Sequence, residues 1–111
     1  MKDLPESDWR LLRSMKDDLL RRASRTAIEH VHGIVIGPND DPHKIYLDLY
    51  RVVQSEDDKI GEMFNDMRRS TGILRLGQMV RQELITPEEL QFFTQETQDR
   101  ARELARANQA L

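Results

Sequence analysis

Positions suited to a core recur along the first third of the chain at steps of three and four: Leu12, Met15, Leu19, Ala23, Thr26, His30 and Ile34. Trp9, Leu20 and Ala27 widen the same stripe. At 100° per residue these positions share one side of a helix, while Arg10, Arg13, Arg21 and Arg25 fall on the other. Ser7 or Asp8 is the expected cap, with Pro5 and Glu6 just upstream. Gly33 is the expected left-handed stop. The helix should therefore run for about 25 residues, on the order of 37 Å. Residues 27–36 also alternate, with Ile28, His30, His32, Ile34 and Ile36 in one set, and that fits a strand as well. A lone strand has no partner elsewhere in this chain. Helix to about Val31 followed by an extended exit is the preferred reading.

Gly37-Pro38-Asn39-Asp40-Asp41-Pro42 breaks the pattern, and Asp41 followed by Pro42 predicts a capped second helix. Ile45, Leu49, Val52 and Val53 are expected to face inward there, flanked by Tyr46 and Tyr50. Ser55 and Asp58 resemble a capping signal, so a third helix is expected from Glu56, with Ile60, Met63, Phe64 and Met67 inward. The same residues also fit one bent rod over 42–69. Ser70-Thr71-Gly72 marks the next boundary, after which Ile73, Leu76, Val80 and Leu84 follow helical spacing. Gly77 on that side would permit a close helix crossing. Thr86-Pro87-Glu88-Glu89 is the sharpest start signal in the chain, joining a cap, a Pro in the first turn and a capping-box Glu. Leu90, Phe92 and Phe93 are its expected apolar anchors. Thr94 restarts the last helix, with Thr97, Ala101, Leu104 and Ala105 inward. The prediction is an all-α fold: one domain over 1–111, a small bundle of five to six helices with a long N-terminal helix, loose at 1–6 and 107–111.

Composition narrows the chemistry. The chain has 111 residues and no cysteine, which excludes disulfides, thiolate catalysis and Cys-based zinc sites. No apolar run approaches the ~20 residues of a membrane span. The acidic opening from Met1 to Ser7 lacks an apolar stretch, so no signal peptide and a cytoplasmic location are expected. Thirteen Arg against four Lys suggest a GC-rich bacterial or phage source.

Candidate chemical groups are sparse. His30 and His32, with His43, Asp40 and Asp41, could suit zinc or nickel by residue type. Residues two apart on a helix point in different directions, so the pair chelates only on a strand. Glu56-Asp57-Asp58 lacks the alternation and central Gly of a calcium loop, and fits a helix first turn instead. The hydroxyls Ser7, Ser55, Ser70, Thr86 and Thr94 all sit at expected helix starts. No nucleophile motif, phosphate loop or dinucleotide fingerprint occurs. The expectation is a non-enzyme without cofactor or metal.

Charge is distributed unevenly beneath a net −3. Residues 38–66 hold eight acids and three bases, whereas residues 67–81 hold four Arg (Arg68, Arg69, Arg75 and Arg81) and no acid. Helix, short turn and helix around that segment outline a helix-turn-helix, which makes a nucleic-acid-associated factor the alternative reading. The simpler account pairs these Arg with neighbouring acids. Tyr46 and Tyr50, beside Arg, have the residue types that interaction hot spots favour. The leading expectation is a non-catalytic binding or regulatory protein acting through a protein partner, with those two Tyr and the four Arg as candidate contact residues. An overlong first helix needs cover for its apolar stripe, so a homodimer through that helix is also expected.

Overall fold

The computed structural model describes residues 2–109. Five helices follow one another: α1 (Glu6–Val35), α2 (Pro42–Phe64), α3 (Gly72–Arg81), α4 (Pro87–Leu90) and α5 (Gln95–Gln109). The all-α bundle with its longest helix at the N-terminus is thus as the periodicity predicts. At 1.5 Å per residue the 30 residues of α1 span about 45 Å.

Several boundaries differ from the sequence expectation. Residues 27–35 are helical, and α1 runs through Gly33 to Val35. No glycine among the described residues takes a positive φ. Gly33 therefore does not act as a left-handed stop. The helix ends where Pro38 can offer no N–H and disfavours helical backbone at Gly37. Asp41 caps α2 as expected, accepting from the His43 N–H at 3.1 Å, with Pro42 in the first turn. No restart occurs at Ser55 or Glu56: α2 is one continuous rod that stops at Phe64 rather than 69. Beyond it, Thr71 closes the connecting loop, donating to the Asp66 carbonyl and accepting from the Arg68 N–H at 2.9 Å.

The left-handed residues of the fold are Asp66 (φ 53°) and Glu83 (φ 57°). Glu83 ends α3 in a Schellman turn, with the Leu84 N–H bonded to the Met79 carbonyl (2.9 Å) and the Glu83 N–H to Val80 (3.1 Å). The predicted capping box is complete: the Thr86 hydroxyl accepts from the Glu89 N–H, and the Glu89 carboxylate accepts from the Thr86 N–H.

Asp8 does not cap its own helix. Its side chain is 2% exposed and reaches across to the start of α5. There it accepts from the Thr94 N–H (3.0 Å), the Thr94 hydroxyl (2.6 Å) and the Thr97 hydroxyl (2.6 Å). Thr94, expected to cap α5 by itself, instead relays its hydroxyl to this carboxylate. One acidic side chain near the chain start therefore anchors the last helix.

The core is formed where these ends meet. Leu12, Leu19 and Ala23 of α1 pack with Met63 and Phe64, with Ile73, Leu76 and Met79 of α3, and with Leu90, Phe93 and Ala101. Gly77 permits the close crossing of α3 and α5 that its position suggested: a Cβ there would stand 2.9 Å from Leu104 Cβ. Residues 1–6, expected to be loose, include Leu4, which is 1% exposed and donates its N–H to the Arg69 carbonyl. The expected looseness at the C-terminus falls partly on residues 110–111, outside the described residues. Phe92, expected as an anchor, is 78% exposed, and its neighbours Leu90 and Phe93 fill the core instead.

Two stability outcomes follow from these contacts. Asp8→Ala leaves the buried Thr97 hydroxyl and the two part-buried Thr94 donors unpaired and should cost about 3 kcal/mol in urea unfolding; a loss below ~1 kcal/mol would mean that the carboxylate does not anchor α5. Glu83→Gly relieves the left-handed strain and should raise stability by about 0.5–1 kcal/mol.

Candidate docking surface

Buried residues of α1 stop at Ala23, and those of α2 begin only at Met63. Between them, residues 24–62 contain no buried side chain. This stretch is a two-helix arm that stands out from the body. The radius of gyration is 16.2 Å, against the ~13 Å expected of a compact chain this long. The longest dimension is 51 Å.

One face of the arm is apolar. On α1, Leu20, Ser24, Ile28, Val31 and Val35 fall within about 80° of one another around the axis. On α2, Tyr46, Tyr50, Val53 and Asp57 fall within about 60°. The two strips adjoin, because Ile28 and Val31 line one shallow groove with Val53 and Asp57. Ile28 is 67% exposed, Tyr46 63%, Tyr50 58% and Val53 52%. Val53 was expected to face inward; on a two-helix layer the apolar stripe is wider than one neighbour can cover. Tyr46 and Tyr50, singled out from the sequence, both lie on this face, and the His43 ring stacks on Tyr46 at 6.4 Å.

The opposite side of the arm's base carries charge. A cleft of about 180 Å³ lies between α1, α2 and the α3–α4 turn, lined by Arg22, His30, Glu56, Lys59, Met63 and Glu83 among others. Glu56 and Arg22 there are turned to neighbouring groups. Glu56 meets His30 Nδ1 at 2.5 Å and Lys59 Nζ at 3.8 Å. Arg22 grips both Glu89 carboxylate oxygens (2.7 and 3.0 Å) and donates to the Leu84 carbonyl. The guanidinium, helped by both Thr86 hydrogen bonds and opposed by partial burial, lowers the Glu89 carboxyl from 4.5 to about 2.

The four candidate Arg do not act as one free patch. Arg68 pairs with Asp66 at 2.8 Å. Arg69 pairs with Glu6 at 3.2 Å and donates to the Leu4 carbonyl. Arg75 donates to the Glu62 carbonyl at 2.9 Å, and Arg81 lies half-buried at the end of α3. The candidate metal ligands do not converge either: His30 turns to Glu56 and His43 to Tyr46. Among the described residues, no group of three or more His, Asp or Glu is placed to hold a metal ion. No helix among them is long and apolar enough to cross a membrane.

Neither a protein-family model, a curated protein nor a solved structure matches this chain. The reading of function therefore rests on the surface itself. Sequence reasoning marked Tyr46 and Tyr50 but missed Ile28, Val35 and Val53. The signal that could have found them was a first helix too long for the body beneath it.

The Arg22–Glu89 pair sets an acid dependence. Because the Glu89 pKa is lower when folded, its contribution is fully present above about pH 4.5 and is lost as pH falls towards 2. With the solvent exposure of both partners allowed for, the loss should be about 1–2 kcal/mol. Arg22→Met should be destabilised at pH 6 in urea unfolding and should lose most of this acid dependence. An unchanged pH profile in the variant would show that the pair does not carry it.

Proposed function

We propose that this chain is a non-catalytic helical binding or regulatory protein that acts through a protein partner, and that the arm is where the partner docks. The observation that carries the reading is the run of exposed apolar and aromatic side chains Ile28, Val35, Tyr46, Tyr50 and Val53, with Ile28, Val31 and Val53 lining one groove, on a projecting pair of helices. A face of this kind exposes large apolar side chains to water at a free-energy cost that only cover by another apolar surface offsets. Its two Tyr offer wide, stiff contact area with a polar tip, the type enriched at interaction hot spots. A helix pair fits a partner that lays helices alongside it. Pairing through α1 with a second copy, expected from the length of that helix, uses the same face. Nucleic-acid association through Arg68, Arg69, Arg75 and Arg81 draws less support, because the first three already contact protein acceptors.

The test compares immobilised wild type with Val53→Asp on the arm and Phe92→Asp on the body. A protein retained by wild type and Phe92→Asp, and lost with Val53→Asp, is the expected result. Equal retention by all three, with unchanged helical circular dichroism, would remove the arm from the function.

A further inference from the structure

We infer that the occupant of the arm's apolar face is a second copy of this chain, packed antiparallel about a two-fold axis that passes near Ile28. The inference rests on the docking reading of the arm and names its partner. Three features support it.

The first is size. The exposed apolar side chains of this face present on the order of 700 Å², close to the roughly 800 Å² that each partner gives to a standard interface. Two helix pairs facing each other also complete a four-helix layer, the arrangement that buries a stripe a single pair leaves open.

The second is register. Ile28 and Asp57 line the same groove, so they stand at one level along the arm. Tyr50 lies seven residues from Asp57 towards the tip, about 10 Å. Leu20 lies eight residues from Ile28 towards the body, about 12 Å. A two-fold rotation at the level of Ile28 therefore brings the Tyr50 of each copy to the level of the Leu20 of the other, on the neighbouring helix of the four-helix layer. A parallel arrangement instead lays Leu20 beside its own copy.

The third is charge. Towards the tip from Ile28 and Asp57, residues 29–56 hold five acids and two bases, whereas residues 20–27 on the body side of α1 hold three bases and no acid. Antiparallel packing sets the acidic tip of each copy along this part of α1 in the other, where Arg21 and Arg25 flank the apolar strip together with Asp17. Parallel packing sets like against like along the whole arm, whereas the antiparallel axis does so only where the two Asp57 meet; opposite charge is what fixes register and orientation at such interfaces.

The chain lacks cysteine, so single engineered thiols report the arrangement without background. The expected solution mass by light scattering is ~26 kDa, twice the 13.0 kDa chain. Ile28→Asp should return it to 13.0 kDa with circular dichroism unchanged. With a short bis-maleimide, Ile28→Cys should cross-link to itself. Leu20→Cys and Tyr50→Cys should cross-link when mixed, and neither should do so alone. Self-linking of Leu20→Cys would overturn the antiparallel register. A mass of 13.0 kDa up to millimolar concentration would overturn the second copy. The docking reading would then stand or fall on the Val53→Asp comparison alone.

Discussion

The fold depends on one buried carboxylate. Asp8 lies in the first turn of the chain's first helix, and its three acceptor contacts all go to the start of the last helix. Removing a carboxylate from water costs several kcal/mol unless donors replace the lost hydration. Here the Thr94 N–H and two hydroxyls do so, and the geometry leaves little freedom for where α5 can begin. With α5 fixed at its N-terminus, Ala101 and Leu104 are brought onto α3, where Gly77 has no side chain to hold the two backbones apart. The core that follows is small but closed, and it uses only the first half of α1 and the last turn of α2.

A second tie fastens the opposite side of that body. Arg22 joins α1 to the capping box of α4, so one guanidinium both pairs with Glu89 and satisfies the Leu84 carbonyl that the α3 turn leaves over. Both ties lie at or below residue 23 on α1. Above that level the helix has α2 for company and nothing else among the described residues. The arm is therefore a direct consequence of where the anchors sit: 30 residues of helix are held over little more than half their length.

That division also orders the functional reading. The body ties many of its polar groups to one another, as caps, ion pairs and carbonyl partners, and in its cleft Arg22 pairs with Glu89 and Glu56 with His30. The arm has an apolar face that its own two helices cannot cover, and acids outnumber bases along it. Association has a surface of suitable size and pattern.

Much of this architecture was legible in local sequence. Thr86-Pro87-Glu88-Glu89 dictates its own capping box, Asp41-Pro42 its own helix start, and the three-four spacing of Leu12, Leu19 and Ala23 a buried helix face. These features need only neighbours within a turn, so the linear order of residues contains them. What only the tertiary structure decided involves residues far apart in the chain. Asp8 read as a local cap because its partners lie 86 and 89 positions away. Gly33 read as a helix end because a glycine's freedom is visible locally, whereas the use made of it is not. Val53 and Leu20 read as core because periodicity reports which side of a helix is apolar. It cannot report whether anything packs against that side. The overlong first helix was in the sequence from the start, and the position of its anchors determines that its far half stands uncovered.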